Sequence, residues 1–358
     1  MQLNIPSRLL RVVVGCGLIA VLLISTQLLI IRQTIPKPLA SSPSLENVTA
    51  NTAIPPLEQD PYWTTEQLKP RFAYAQYATN RDYLCNAIIN FVQLSRYGAK
   101  YDQVLIHPTE WSKGNSEEAK ALANIRKTYP QLNLRPFDVI STNKGDSTWR
   151  DSLTKFHAFA LTEWTRVLAF DSDALVLNSM DHYFLSPLSP IAVPRAYWLN
   201  EADTEIAKQV LGSHVMLLEP DEKRYHKIIN EALSSGDFDM EVINHMFRDS
   251  AMILPHRRLA LLTGEFRATN HSKYLAPDVD VEWNAMGEVS RAVLVHFSDW
   301  PLPKPWKKHS QKQWETVMPA CPDDDVETED KPRCADRLMW TGFYEDYNMY
   351  KDKYREII

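Results

Sequence analysis

From residue 71 onward the apolar positions fall into short runs and helical stripes in turn. "RFAYAQYA" (71–78) reads as a strand. "RDYLCNAIINFVQLSRYG" (81–98) reads as a helix, with Leu84, Ala87, Ile88, Phe91 and Leu94 along one face and Gly98 at its end. "YDQVLIH" (101–107) is the next strand. "NSEEAKALANIRKTYP" (115–130) is a helix with Asn or Ser at its cap, acids in its first turn and Pro130 beyond its end. "FDVIS" (137–141) predicts a third strand, "DSLTKFHAFALTEW" (151–164) a helix capped by Asp151 or Ser152, and "RVLAFDSDALVL" (166–177) a fourth strand. Strand and helix in regular alternation predict an α/β domain with a mostly parallel central sheet. Farther on, "HVMLLEP" (214–220) and "AVLVHFS" (292–298) read as strands, and "DEKRYHKIINEALSS" (221–235), "MEVINHMFRD" (240–249) and "YEDYNMYKDKYREII" (344–358) as helices.

One apolar stretch fits neither period. "VVVGCGLIAVLLISTQLLII" (12–31) is twenty residues without a charge. At about 1.5 Å per residue it reaches roughly 30 Å, the thickness of a bilayer core. A cleaved signal peptide has a shorter apolar core ending in small residues. "STQLLIIRQT" offers no small-x-small site, so an uncleaved signal-anchor is expected. Arg8 and Arg11 before the run and Arg32 and Lys37 after it leave the positive-inside rule nearly balanced. The expected layout is a cytosolic tail (1–11), a transmembrane signal-anchor (12–31), a stalk rich in Pro, Ser, Thr and Asn (32–70) and a folded domain (71–358). Two sequons, at Asn47 and Asn270, fit a lumenal placement of everything beyond the anchor. Cys321 and Cys334 bracket a polar loop; a disulfide and two free thiols both fit the sequence.

Composition narrows the class only a little. The 358 residues are 44% hydrophobic and 23% charged, ordinary for a globular protein. A net charge of −6 gives no electrostatic grip on nucleic acid. No Cys/His cluster has zinc spacing.

The candidate chemistry lies inside the fourth strand. Asp171 and Asp173 interrupt an apolar run, where a charge is costly unless it is paired. In an extended chain their side chains share one side. A divalent cation would relieve both their burial and their mutual repulsion, and oxygen ligands suit Mg²⁺ or Mn²⁺. Asp-x-Asp alone is weak: the pattern recurs at Asp237/Asp239, Asp278/Asp280 and Asp323/Asp325. The flanks "RVLAF" and "ALVL" single out the pair at 171. A structural salt-bridge network is the alternative.

"LTKFHAFALTEWTRVLAFDSDALVLNSMDHYF" resembles the heart of glycosyltransferase family 8, the glycogenin-like group. "AYAQYATNRDYLCNAI" resembles that family's opening strand and nucleotide loop, and "VLVHFSDWPLPKPW" its closing motif. The three occur in the family's order over residues 71–306 and look closest to a fungal branch that includes Golgi N-acetylglucosaminyltransferases. The resemblance implies one GT-A type, Rossmann-like domain that uses a UDP-sugar and Mn²⁺ and retains the anomeric configuration. Carried over by matching residue, Asp171, Asp173 and His296 are the metal ligands. Without the resemblance, His296 reads as a core histidine. Tyr77, Thr79, Asn80 and Tyr83 match the nucleotide loop. Lys155 matches a lysine beside the donor, Lys304 one that steadies the departing diphosphate. "FDMEVIN" places Asp239 and Asn244 near the donor sugar, with Asp239 orienting it or stabilising an oxocarbenium-like state. Ser213 belongs to a segment that touches the donor in the family.

Three departures bear on the sugar more than on the nucleotide. Gly212-Ser213-His214 stands where Asn-Ser-Gly is usual, Met240 replaces a glutamine, and Ser298-Asp299 stands where a glycine is expected, with two extra residues before Lys304. The expectation is a single-pass type II Golgi enzyme moving a sugar, N-acetylglucosamine first, from a UDP-sugar to a glycan or glycoprotein acceptor. Transfer of glucose or galactose, and a catalytically inactive glycan-binding protein, are the alternatives.

Overall fold

The computed structural model describes residues 70–142, 149–205, 208–278, 280–322, 327 and 332–358. Strands β1 (Phe72–Tyr77) and β2 (Asp102–Pro108) run parallel, Ala73 opposite Asp102 and Tyr77 opposite Ile106. The crossover between them is helix α1 (Arg81–Arg96), started by Asn80, whose side chain accepts from the Tyr83 N–H. Helix α2 (Glu117–Thr128), capped by Ser116, leads into β3 (Asn133–Phe137) beside β2. β4 (Arg166–Phe170) lies on the other side of β1. Beyond it come β5 (Ala174–Val176), β6 (Ile191–Pro194), β7 (Val215–Leu218), helices α3 (Glu222–Ser235) and α4 (Asp239–Phe247), β8 (Met252–Leu254), β9 (Leu261–Leu262) and β10 (Leu294–His296). A C-terminal helix spans Ala335–Tyr354.

The main sheet has seven strands in the order β3-β2-β1-β4-β7-β6-β8. Four neighbouring pairs are parallel and the two made by β7 are antiparallel, so the α/β expectation holds with one reversed strand. Successive strand residues point to opposite faces. Tyr74, Leu105, Leu168 and Leu217 pack on the α1 and α2 side, while Ala75, Val104, Val167 and Met216 pack against Phe156, Phe159, Ile228 and Val242 on the other. Both faces are covered, which is why these strands read as continuous apolar runs rather than alternating ones.

Three expectations change. The strand expected at 137–141 sits upstream at β3, an edge strand where Pro136, lacking an N–H, is tolerated. The helix expected at 151–164 is a 3₁₀ helix, Ser152–Ala160, with no side-chain cap; the Asp151 carboxylate instead accepts from the Ser141 hydroxyl at 2.6 Å. Ser152 to Phe159 are all buried, so this segment has no polar face to present to water. The run 166–177 is not one strand. It breaks at Asp171–Asp173, β4 staying in the main sheet and β5 joining a second sheet of order β5-β10-β9.

All described residues belong to one unit, Thr65–Ile358. The tail, the signal-anchor at 12–31, the stalk up to residue 69, Cys16, the Asn47 sequon and the Asp323/Asp325 pair lie outside the described residues. Among the described residues no helix is long and apolar enough to cross a membrane. The expectation of a single-pass type II Golgi protein, attached through an N-terminal helix, is withdrawn on that finding. Cys321 and Cys334 form a disulfide, with Cα atoms 5.0 Å apart.

Leu168 is fully buried in the central strand of the main sheet. Leu168→Ala is expected to cost about 2–5 kcal/mol in urea unfolding, the range for a core leucine whose cavity cannot collapse.

Candidate active site

The site forms where the two sheets part, beyond the carboxyl ends of β1 and β4, the usual place for a ligand in an open α/β sheet. The bend at 171–173 is held from behind. Asn90, fully buried on α1, accepts from the Val176 N–H at 3.1 Å and donates to the Ser172 carbonyl at 3.4 Å. The Ser172 hydroxyl donates to the Tyr77 carbonyl at 3.1 Å. With Ser172 turned inward, its two neighbours face the opening. β10 pairs antiparallel with β5, His296 opposite Ala174, which brings the imidazole beside Asp173. One ligand atom each from Asp171, Asp173 and His296 lies within 4.8 Å of the others.

Two lysines complete the polar centre. Lys155, on the buried 3₁₀ helix and only 4% exposed, places its ammonium 2.6 Å from Asp171 and 2.7 Å from Asp239. The Ser213 hydroxyl donates to the same Asp239 oxygen at 2.6 Å. Lys304 lies 2.8 Å from Asp173 and also donates to the Phe297 carbonyl; His296 approaches Asp173 at 3.1 Å. Counting the imidazole as neutral, three carboxylates against two ammoniums leave one negative charge in excess. That excess falls on Asp171. Burial, with Asp173 and Asp239 adding, outweighs Lys155 and lifts the Asp171 carboxyl to about 6. Against the same burial, Lys155 and Ser213 hold Asp239 below its usual range, and His296 with Lys304 hold Asp173 well below it. The Lys155 ammonium stays charged despite its burial because of its two partners.

The donor set fits a divalent cation. Two carboxylates and an imidazole suit Mn²⁺ better than Mg²⁺, the carboxylates outnumber the ammoniums, and among the described residues the buried His296 Nδ1 has no hydrogen-bond partner. The remaining expected residues divide. Tyr77 is buried beneath Lys155, the ammonium 5.9 Å from its ring centroid, and burial and the nearby acids keep its phenol protonated. Tyr83 stands edge-on to Trp306, ring centroids 5.2 Å apart. Thr79 is half-buried in the turn after β1, and Asn80 is exposed with its carbonyl oxygen capping α1. Asn244 spends its amide on backbone: it accepts from the Leu211 N–H and donates to the Leu211 and Met240 carbonyls, each at 2.8 Å. It anchors the segment that carries Ser213 and lies behind the polar centre rather than in it.

Known relatives share most of this domain. A glucose N-acetyltransferase 1 of Gibberella zeae is 40% identical over 295 residues, 80% of this chain and 63% of the relative. One of Aspergillus fumigatus is 36% identical over 296 residues, 77% of this chain and 75% of the relative. The chain belongs to the glucose N-acetyltransferase 1 family. It spans less than two thirds of the Gibberella member's length. No family model matches. Among solved structures, the galactosyltransferase LgtC with donor and acceptor sugar analogs is 14% identical, covering 70% of this chain and 98% of its own, with a TM-score of 0.48. The glycosyltransferase GlyE of Streptococcus pneumoniae is 13% identical, covering 80% and 64%, with the same TM-score.

In this glucose N-acetyltransferase 1 family member, residues that motif matching passed over hold the site. Asn86 and Asn90 stand four apart on the buried face of α1, a polar pair inside an apolar stripe that the sequence displays; Asn90 holds the bend, while Asn86 accepts from the Tyr347 hydroxyl at 2.6 Å. His214 is buried 5.6 Å, ring to ring, from His296, its Nε2 has no hydrogen-bond partner among the described residues, and its carbonyl accepts from the Asp171 N–H. Burial, with His296 adding, lowers its pKa to about 3. Gly212 makes room for it: a Cβ there would lie 3.0 Å from the imidazole.

Asn90→Ala leaves the buried Val176 N–H without its acceptor, and urea unfolding should show a loss of about 1–3 kcal/mol. Because the folded Asp171 pKa is raised from 3.8 to about 6, the metal-free protein gains stability from this proton at low pH and loses it as pH rises through about 6. A cation must displace that proton. Mn²⁺ titrated calorimetrically should bind more tightly at about pH 7.5 than at about pH 5; equal affinities would remove Asp171 from the ligand set.

Proposed function

We propose that the chain is a metal-dependent, retaining glycosyltransferase of GT-A type, resembling family 8. It transfers N-acetylglucosamine from its UDP-sugar to a glycan or glycoprotein acceptor. The observation that carries this reading is the convergence of Asp171, Asp173 and His296 within 4.8 Å, flanked by Lys155 and Lys304. A centre with one excess negative charge calls for a cation, and a cation with two lysines beside it calls for an anion such as a diphosphate. The relatives' name joins glucose with an N-acetyl group, and N-acetylglucosamine contains both.

The bound cation would stabilise negative charge developing on the leaving diphosphate. Lys304, already at the rim of the carboxylates, would add a second positive charge to the same oxygens. Tyr77 and Tyr83 offer aromatic surfaces for the uracil, with Thr79 and Asn80 as polar neighbours. Asp239 is bound by Lys155 and Ser213, which favours a role in orienting the sugar or stabilising an oxocarbenium-like state over attack as a covalent nucleophile. Asn244 would act through Leu211 by fixing the backbone around Ser213. The intact ligand set weighs against an inactive glycan-binding protein.

His214 and Met240, which depart from the family 8 pattern, keep glucose and galactose as rival donors. The test is hydrolysis of UDP-N-acetylglucosamine, UDP-glucose and UDP-galactose with Mn²⁺, with and without EDTA. UDP-N-acetylglucosamine should turn over fastest, and EDTA or the double variant Asp171→Ala/Asp173→Ala should lower the rate at least about a hundredfold, the scale of a lost electrostatic stabiliser. Turnover undiminished by EDTA refutes the metal reading, and preference for another sugar refutes the donor.

A further inference from the structure

We infer that Asp299 is a positioning residue: from the C-terminal helix and the 263–267 turn it holds the 297–304 loop so that Lys304 meets Asp173. This rests on the proposed function for the role of Lys304 toward the diphosphate. The Asp299 side chain is 1% exposed, so its charge is costly without partners. Its Oδ2 accepts from the Trp340 indole N–H at 3.0 Å and from the Tyr344 hydroxyl at 2.8 Å, both on the C-terminal helix. Its Oδ1 lies 3.1 Å from Arg267 Nε. The adjacent Ser298 is tied to the same turn: its N–H donates to Thr263 Oγ1 at 2.9 Å, and its hydroxyl accepts from the Gly264 N–H at 3.1 Å.

The loop is fastened at its middle and closed at its ends. Lys304 folds back to the Phe297 carbonyl while its ammonium pairs with Asp173. The Leu302 N–H donates to the Asp299 carbonyl at 2.8 Å, which shapes the turn between the fastening and the lysine. Aromatic rings of the C-terminal helix pack beneath, Tyr344 and Tyr347 against Phe297, the residue after the ligand His296. Ser298 and Asp299, placed where family 8 has a glycine, therefore carry the attachment of a longer loop, Ser298 to Thr263 and Gly264 and Asp299 to the C-terminal helix.

The test is a double-mutant cycle on the full chain, with UDP binding measured calorimetrically in Mn²⁺ and amide hydrogen exchange followed over 297–304. Asp299→Asn keeps the shape of the side chain and removes its charge. It should weaken UDP about tenfold or more, the size of one lost charged hydrogen bond, and speed exchange in the loop. Lys304→Ala should weaken UDP similarly, and the double variant no further, because the two act through one contact. Tyr344→Phe, which removes one hydroxyl, should move both readouts in the same direction by less, and it carries the test where Asp299→Asn does not fold. Losses that simply multiply in the double variant overturn the inference, as does Asp299→Asn with unchanged loop exchange. Wild-type protein that binds no UDP sinks the proposed function, and the exchange result then still decides the position of the loop.

Discussion

One ammonium shared between two carboxylates is the constraint around which the site is built. Lys155 lies within 2.7 Å of both Asp171 and Asp239 and cannot neutralise both. Asp239, with the Ser213 hydroxyl as a second partner, takes the larger share, and the unmet charge remains on Asp171. A buried lysine between acids commonly marks a closed structural network. Here the acids outnumber the cations, and a network that does not balance by itself is poised for an external charge. The burial of Lys155 on its apolar 3₁₀ helix strengthens both ion pairs, since a solvated ammonium would be screened from the acids.

The sheet architecture converts this electrostatic demand into geometry. Asp171 directly follows β4 of the main sheet and Asp173 directly precedes β5 of the second sheet, so the two ligands straddle the division. Register then delivers the third ligand. His296 pairs with Ala174, next to Asp173 in sequence, and a slip of one residue would turn the imidazole to the opposite face. Asn90 protects this arrangement by satisfying, from a neighbouring helix, one backbone group within the bend and one in the strand that follows it. A buried asparagine thus does for the turn what ladder hydrogen bonds do for the strands around it.

Much of this was legible in the sequence, for identifiable reasons. β1, α1, β2, α2 and β4 have strong periods and clear caps, and their order alone implies the parallel half of the sheet. The reversed β7 reads as a strand, but its direction against β4 depends on pairings from Phe170–Val215 to Val167–Leu218, all far apart in sequence, to which local periodicity is blind. β6, β8 and β9 are two to four residues long, too short for any period. The 3₁₀ segment at 152–160 has the composition of a helix, and because Ser152 to Phe159 are all buried it shows no apolar–polar period from which its pitch could be told. Within the site, Asp171, Asp173, His296, Lys155, Lys304, Asp239 and Ser213 converge, whereas Asn80 and Asn244 prove to be bound to backbone. Spacing in a motif does not separate a residue that faces the ligand from one that holds the backbone behind it, since both are needed at fixed positions.

That distinction orders the whole molecule. Three pieces of chain far apart in sequence must meet within a few ångströms: the bend at 171–173, the segment 211–214 and the stretch 296–304. Loops left to themselves would each pay the entropy of ordering whenever a ligand arrived. Each piece instead has its own buried polar anchor, Asn90 for the first, Asn244 for the second and Asp299 for the third, and each anchor reaches to or from a helix packed in the core. As complete pairs, buried hydrogen bonds of this kind add little net stability over the bonds to water they replace, although removing one partner strands the other. What they add is uniqueness, since an apolar replacement would pack nearly as well while leaving the backbone groups at these loops free to choose other partners. The cost of three buried polar side chains is therefore best understood as the cost of holding an unbalanced charge cluster open and in register.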